Sequence, residues 1–581
     1  MLRFPRALWI ALALAILLPL PSLFAELYTD DQMMVLRLEG TIPSPVPGPF
    51  HLYTFANGSA EQRAQLFGGG TFPWWTLPEL RLSFLRPLSS GLLALDHALA
   101  GRDPLPYHVH SMAWYAAAVL AAALLFRRLL PERTAAAAAL MFAISPAHWM
   151  AAGWPSSRHV AIVGALGFSA LALHLRARER GDRRAAVGAL ACAAIALLAG
   201  EAALGVLAYV FAYELLGRDE PLARRARAFA PWVALGLVYA ITYKALHFGA
   251  YGSGGYLDPI AEASTFLPAL PVRLAVFAEA ALIGVPSEVS ALDPRAARVL
   301  ATLGVLALLA FSLLLRRALR RVAPEHARAL RWLLVGAALA LLPGAAGIPG
   351  DRVLFLPNLG IVAALATVLL HAGRAPDERA LAAAPARAGV ALFGLLHVVL
   401  AAPVFLFGVL HLTTTSRTAL DVLARAEIPR REGTRVLGIG LSDPLVGMYL
   451  GSGLQLAFDP PPATVDLLSM AGRDHRVRRV DARTLEIAVD GRLLDGAFES
   501  VVRARRHPLR AGDVVPLGAW SVRVLADDAG QPTRFAVTFD RDLDDPSLAF
   551  LHWKDGGLRA LALPPIGGEV LLRHEPGPMG M

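Results

Sequence analysis

Sulfur, lysine and charge are all scarce in this chain. Cys192 is the only cysteine in 581 residues and lies in an apolar run, which excludes an intrachain disulfide or a thiolate metal cluster and leaves the redox compartment unread. Lys244 and Lys554 are the only lysines among 55 basic residues, and together with the abundant alanine this arginine bias reads as GC-rich bacterial coding. Charged residues make up 17% of the chain against 56% hydrophobic ones, at a mean hydropathy of +0.50. An ordinary soluble domain does not have that balance. Internal repeats and long polar tracts are also missing, so solenoid and disordered architectures are excluded.

What is present instead is a series of apolar runs near bilayer-spanning length, the pattern of a polytopic membrane protein. The net charge of +9 does not call for nucleic acid, because the arginines gather in short loops between the runs, where the positive-inside rule places them. Residues 1–25 look like a signal peptide, with Arg3 and Arg6 ahead of an apolar core. The run is long and lacks a small-x-small cleavage site before Glu26, so it is read as a retained first span.

Oriented by their arginines, the runs at 7–25, 111–130, 134–150, 159–175, 185–200, 202–216, 231–247, 298–315, 332–342, 354–371 and 388–411 give about eleven spans, with the N-terminus cytoplasmic and the C-terminus outside. Arg176 to Arg184, Arg218 to Arg227, Arg316 to Arg321, and Arg374 with Arg379 mark the inner side. Residues 265–285 do not fit the alternation. Pro268, Pro271, Arg273 and Glu279 among apolar neighbours suggest an interfacial or re-entrant helix there. The fold expected is therefore a mainly α, polytopic bundle over residues 1–412, with a first outer loop at 26–110.

From about residue 413 the composition becomes charged and the apolar residues alternate at period two, as at 484–489, 521–525 and 534–539. Asp490-Gly491, Asp495-Gly496 and Asp555-Gly556 punctuate these runs as turns. Residues 413–581 are thus expected to hold an extracytoplasmic β-rich domain. Asp540, Asp542, Asp544 and Asp545 lack the glycine and closing glutamate of a calcium loop and read as a solvated turn.

Asp30 and Asp31 stand just beyond the first apolar run. Two adjacent carboxylates at that depth are costly unless they face water, a partner or a substrate, which makes them the leading catalytic candidates; simple helix termination at the headgroups is the alternative. Trp74, Trp75, Trp149 and Trp154 fall in outer loops, where an interfacial aromatic belt accounts for them. His108, His110 and His148 lack helical i, i+4 pairing with a carboxylate, so no metal site is expected from them.

Several short motifs, taken in order, resemble a known family. They are Phe84-Leu85-Arg86-Pro87-Leu88, then Leu95-Asp96, Gly101 and Tyr107-His108, then Phe142 to His148, Gly153-Trp154 through Arg158, and finally Arg352 to Gly360 with Pro357 inside it. This order resembles the membrane glycosyltransferases of the C-type (GT-C) fold, in particular the protein O-mannosyltransferase and tetratricopeptide-associated mannosyltransferase branch. The resemblance covers roughly residues 1–411 and does not extend to the C-terminal region. Ser145-Pro146 stands where the family tends to have His-Pro, Gly200-Glu201 where a Lys-Glu pair is common, and His159 where an acid often sits.

The resemblance implies a sugar taken from a polyprenyl-phosphate carrier and passed to an extracytoplasmic protein, lipid or glycan acceptor at a bacterial inner membrane. It implies Asp30 or Asp31 as general base, Arg86, Arg158 and Arg352 as donor-phosphate ligands, and His108, His148, Glu201 and Asp351 as supporting residues. It implies no essential cofactor, although some members use a divalent cation at the acidic pair. A transporter or flippase of lipid-linked material is the competing class, but such proteins place charge or broken helices at mid-membrane, and here ionisable residues cluster toward one face. The departures from the family pattern leave a catalytically inactive scaffold as the third reading.

Overall fold

The computed structural model describes residues 3–62, 71–373, 383–441 and 443–578. Arg374 and Arg379, used above for orientation, lie outside the described residues. The chain forms two compact units: one of Met1–Phe24, Phe84–His247 and Pro259–Leu412, the other of Ala25–Ser83, Phe248–Asp258 and Thr413–Met581. The sequence reading assigns the whole first outer loop to the helical domain. The structure divides that loop: Ala25–Ser83 pack with the C-terminal residues, because their apolar side chains, Trp74 and Trp75 among them, join the second unit's core.

The first unit is a helical bundle. Among the described residues, eight helices are long and apolar enough to cross a membrane, or nine if the pair Glu132–Ala143 and Pro146–Gly153, bent by 50°, counts as one span. The count of about eleven is not reached, because Arg183–Ala199, Leu204–Ala212 and Asn358–His371 are 17, 9 and 14 residues long. The segment expected to be an interfacial or re-entrant helix is one unbroken helix, α1 (Ala263–Leu282), of 20 residues, with both prolines inside it and no re-entrant break. Its neighbour α2 (Pro294–Leu319) starts where Pro294 presets the first turn and Asp293 accepts the Arg295 N–H at 2.8 Å. Close helix packing rests on small residues, as is common in membranes. A Cβ on Gly304 of α2 would lie 1.9 Å from the Ala275 carbonyl oxygen of α1. One on Gly360 of α3 (Asn358–His371) would lie 2.3 Å from the Leu333 carbonyl of α4 (Pro324–Gly344).

The second unit contains three sheets among the described residues. Strands β1 (Thr54–Asn57), β2 (Arg81–Ser83) and β3 (Gly249–Tyr251) form a small antiparallel one. A six-stranded antiparallel sheet runs in the order β13-β6-β7-β10-β9-β8, comprising β6 (His475–Arg479), β7 (Thr484–Val489), β8 (Val514–Pro516), β9 (Trp520–Asp528), β10 (Gln531–Phe539) and β13 (Glu569–Leu572). The third sheet, β12-β11-β4-β5, pairs β11 (Leu548–Lys554) in parallel with β4 (Arg435–Ile439), and β4 in parallel with β5 (Thr464–Leu467). β12 (Gly557–Ala560) completes it as a hairpin whose two-residue turn, Asp555-Gly556, has positive φ at both positions.

Period-two patterning translates directly into burial: β7 alternates half-buried and buried at each step. Trp74 and Trp75 are 1% and 0% exposed, so they belong to this core and not to an aromatic belt. The Trp74 ring centroid is 5.0 Å from that of Phe535, and its indole N–H donates to the Leu468 carbonyl at 2.9 Å. The acidic turn at 540–545 is held by arginine, with Arg479 donating to both carboxylate oxygens of Asp544 at 2.8 Å.

Candidate active site

In the second unit, Asp30 and Asp31 open helix α5 (Asp30–Leu38), and the fold gives them different work. Asp31 is 1% exposed and its Oδ2 accepts the Tyr28 N–H at 3.2 Å, the reach-back of a helix N-terminal cap. Asp30 is half-buried, and its Oδ1 accepts the Tyr449 hydroxyl at 2.6 Å. Burial, reinforced by the Asp30 charge, pushes the Tyr449 phenol well above its ordinary range, so it remains a donor. The Tyr28 phenol is pushed up too, first by burial and then by the charges of Asp443 and Asp31. Arg37, at the far end of α5, is buried and donates to the Thr54 carbonyl at 3.0 Å. Burial lowers its guanidinium to about 10, against the opposing pull of Asp30.

Thr29 precedes the pair with φ 48° and ψ −106°, an unusual conformation for a β-branched residue, and its buried hydroxyl has no hydrogen-bond partner among the described residues. Strain of this kind costs about 1–3 kcal/mol and tends to collect at functional positions. Thr29→Gly is therefore expected to raise unfolding free energy by about 1 kcal/mol, after allowing for glycine's backbone entropy. The measurement is denaturant or thermal unfolding in detergent; a destabilised variant would show that the backbone is at ease there.

In the first unit, Arg86 and Arg352 lie on a common neighbourhood. The Arg86 Nε donates to Glu201 Oε2 at 2.8 Å, the Tyr243 hydroxyl donates to Glu201 Oε1 at 3.4 Å, and the guanidinium sits 4.9 Å from the Phe84 ring centroid. Gly200 allows this approach: a Cβ there would be 3.3 Å from the His159 ring and 3.7 Å from Arg86 Nε. The charges of Arg86 and Arg352 both act on His159. Arg86 and His159 thus flank the tip at Gly200-Glu201, and the Arg352 charge acts on the same histidine.

Asp351, beside Arg352, is buried, and its Oδ1 accepts both the Ser287 N–H at 2.8 Å and the Ser287 hydroxyl at 2.7 Å. Its own N–H donates to Glu288 Oε1 at 3.0 Å. Burial, then the Glu288 carboxylate, raises the Asp351 carboxyl from 3.8 to about 7. A carboxyl raised on folding binds its proton more tightly in the native state, so its contribution to stability is present below about pH 4 and lost as pH rises through 7. Asp351→Asn keeps the acceptor for Ser287 and removes that titration. Between pH 5 and 8 the parent should lose up to a few kcal/mol relative to this variant, read from unfolding midpoints at the two pH values.

Other candidates turn out to be integral to the bundle. Arg158 is 2% exposed, and its Nη2 lies 2.6 Å from Asp96 Oδ2. Asp96 Oδ1 faces His110 Nδ1 at 2.7 Å, and the Trp114 indole N–H donates to His110 Nε2 at 2.9 Å, which fixes the histidine as the Nδ1–H tautomer. His108 is buried with Nδ1 2.8 Å from the Gly153 carbonyl. His148 is 0% exposed, its ring centroid 4.5 Å from that of Phe142 and 4.4 Å from that of Phe355, and its Nε2 accepts the Asn358 amide at 3.0 Å. Among the described residues no three His, Cys, Asp or Glu side chains converge as metal ligands.

Sequence reasoning missed Tyr449, Asp443, His159 and Ser287. Tyr449 and Asp443 come from the loop and helix start after β4, more than 400 positions from Asp30, and no local pattern marks them. His159 was visible only as a departure from the family pattern.

No protein-family model matches the chain, and no curated protein matches it. Solved structures do. The chain is similar to the oligosaccharyltransferase of Archaeoglobus fulgidus, solved tethered with an acceptor peptide containing the NVT sequon, at 13% identity and a TM-score of 0.43, covering 81% of this chain and 64% of that one. It is likewise similar to the archaeal oligosaccharyltransferase AglB from Archaeoglobus fulgidus in complex with an inhibitory peptide and a dolichol-phosphate, at 12% identity and a TM-score of 0.42, over 77% of this chain and 63% of that one. A third similarity is to ArnT from Cupriavidus metallidurans bound to undecaprenyl phosphate, at 15% identity and a TM-score of 0.40, over 80% of this chain and 89% of that one. The chain spans less than two thirds of the oligosaccharyltransferase's length. These likenesses are remote and do not single out the mannosyltransferase branch. The chain is a multi-pass helical membrane protein whose structural neighbours are membrane glycosyltransferases of the GT-C fold.

Proposed function

We propose that this protein is an integral-membrane glycosyltransferase that moves a sugar from a polyprenyl-phosphate donor to an extracytoplasmic protein, lipid or glycan acceptor. The observation that carries the reading is the division of labour at 30–31: one carboxylate is spent on capping, while the other is half-exposed, held by a tyrosine hydroxyl and preceded by a strained residue. In this mechanism the acceptor oxygen attacks the anomeric carbon as Asp30 takes its proton. The bond from that carbon to the phosphate oxygen breaks, and the phosphate leaves with the electron pair. Arg86 and Arg352 neutralise the departing charge, His159 and Glu201 position Arg86, and Arg158 holds the scaffold. No cofactor is needed; a divalent cation at the acidic pair is a variant of the same chemistry.

The test is transfer of labelled sugar from polyprenyl-phosphate donors in proteoliposomes holding the parent or the double variant Asp30→Asn/Asp31→Asn. Transfer by the parent and not by a correctly inserted double variant is expected. Equal transfer by both removes the assigned base, and no transfer by the parent with any donor tried points to the inactive scaffold.

A further inference from the structure

Along α2 the first unit carries a second, unassigned feature, which shares Ile283 and Leu396 with the cavity that Asp351 lines. A laterally open groove of about 900 Å³ runs between α2 and α6 (Ala384–Gly394), within the size range of about 300–1,000 Å³ that small-molecule sites occupy. Leu303, Leu306, Ala310 and Leu313 of α2 form one wall, Ala386 and Leu392 of α6 the other, and arginines close one end. Leu306, Leu313 and Leu392 are 57%, 67% and 53% exposed, so the walls have no protein partner covering them among the described residues.

The four arginines at that end divide by function. Arg317 donates through Nε to the Ala372 carbonyl at 2.8 Å, and Arg321 donates through Nη1 to the His371 carbonyl at 3.1 Å, so both close the C-terminal end of α3. Arg316 and Arg320 also line the groove, are exposed, and have no carboxylate partner among the described residues. Standing i, i+4, they lie on one face of α2, about 6 Å apart along its axis. From Leu303 to Leu313 the apolar wall rises about 15 Å, which is half the hydrocarbon thickness of a bilayer. One acyl leaflet's length of apolar wall ending at two guanidinium groups matches a lipid with an anionic headgroup.

We propose that this groove binds an anionic glycerophospholipid, its phosphate on Arg316 and Arg320 and its acyl chain between α2 and α6. Charge complementarity selects the headgroup, since a zwitterionic lipid gains no net attraction from two cations. Each arginine near a membrane surface strengthens anionic-lipid attraction about fivefold, so the pair contributes about 30-fold.

The experiment is native mass spectrometry of the full-length protein, released from micelles supplemented with phosphatidylglycerol, phosphatidylcholine or undecaprenyl phosphate. The parent is expected to retain one phosphatidylglycerol in preference to phosphatidylcholine. Arg316→Gln/Arg320→Gln should lower that retention about 30-fold. Ala310→Trp, which fills the groove and leaves both charges in place, should lower it as well. Equal retention of phosphatidylglycerol and phosphatidylcholine by the parent overturns the proposal, and that measurement needs no variant to fold. Undiminished retention by a monodisperse double variant also overturns it, as does preferential retention of undecaprenyl phosphate abolished by Ala310→Trp, which would assign the groove to the carrier.

Discussion

Asp30→Asn is expected to lower sugar transfer by about 10²–10⁴-fold, the range that a lost general base commonly costs, whereas Asp31→Asn should lower it less than tenfold. The two residues are adjacent and chemically identical, so the contrast tests placement alone. Asp31 is buried and accepts a backbone N–H, a role the asparagine carbonyl also fills, and the expected cost is about 1 kcal/mol of stability. Asp30 is half-buried and accepts the Tyr449 hydroxyl at 2.6 Å, a geometry in which the carboxylate is oriented. Tyr449→Phe should therefore lower kcat about tenfold with little change in donor KM, because it removes the hydroxyl that orients the carboxylate and leaves donor contacts alone. Initial rates with labelled donor in proteoliposomes measure all three. Equal losses at positions 30 and 31 would reverse the assignment of the base.

The helical class was legible because it rests on composition and run length, which act locally. Apolar runs must be satisfied by helices wherever hydrocarbon surrounds them, and arginines in short loops mark their ends. The β-rich region was legible for the same reason: period-two alternation at 484–489, 521–525 and 534–539 corresponds to β7, β9 and β10. Legibility failed where partners are distant in sequence. Trp74 and Trp75 sit in a stretch that reads as a membrane-edge loop, and only the arrival of Phe535 and Leu468 makes them core. Arg158 reads as a donor-phosphate ligand because Asp96, its buried partner, is 62 positions away. In the 265–285 segment the prolines, which break isolated helices, do not interrupt the helix, because neighbouring helices support the backbone. For the acidic pair, sequence singled out two adjacent carboxylates and had no means of separating them, because the contact that distinguishes their surroundings comes from Tyr449.

Asp96→Ala is expected to cost about 3–5 kcal/mol of unfolding free energy, the largest stability effect in the bundle, since it strands the Arg158 guanidinium where both partners are 5% and 2% exposed. Arg158 Nη1 keeps only a 3.4 Å contact with the Tyr107 carbonyl, too long to compensate. The paired replacement Asp96→Leu/Arg158→Met should recover most of that loss, because it removes both buried charges together. About 1 kcal/mol should remain missing, as His110 Nδ1–H loses its acceptor. The same double variant separates two roles for Arg158. As a scaffold residue it leaves donor KM near the parent's once the fold is restored. As a ligand of the donor phosphate it raises KM at least tenfold even though the protein is stable. Buried as it is and matched to Asp96 at 2.6 Å, Arg158 would have to surrender that pair to reach a phosphate, so the restored fold with unchanged KM is the expected result.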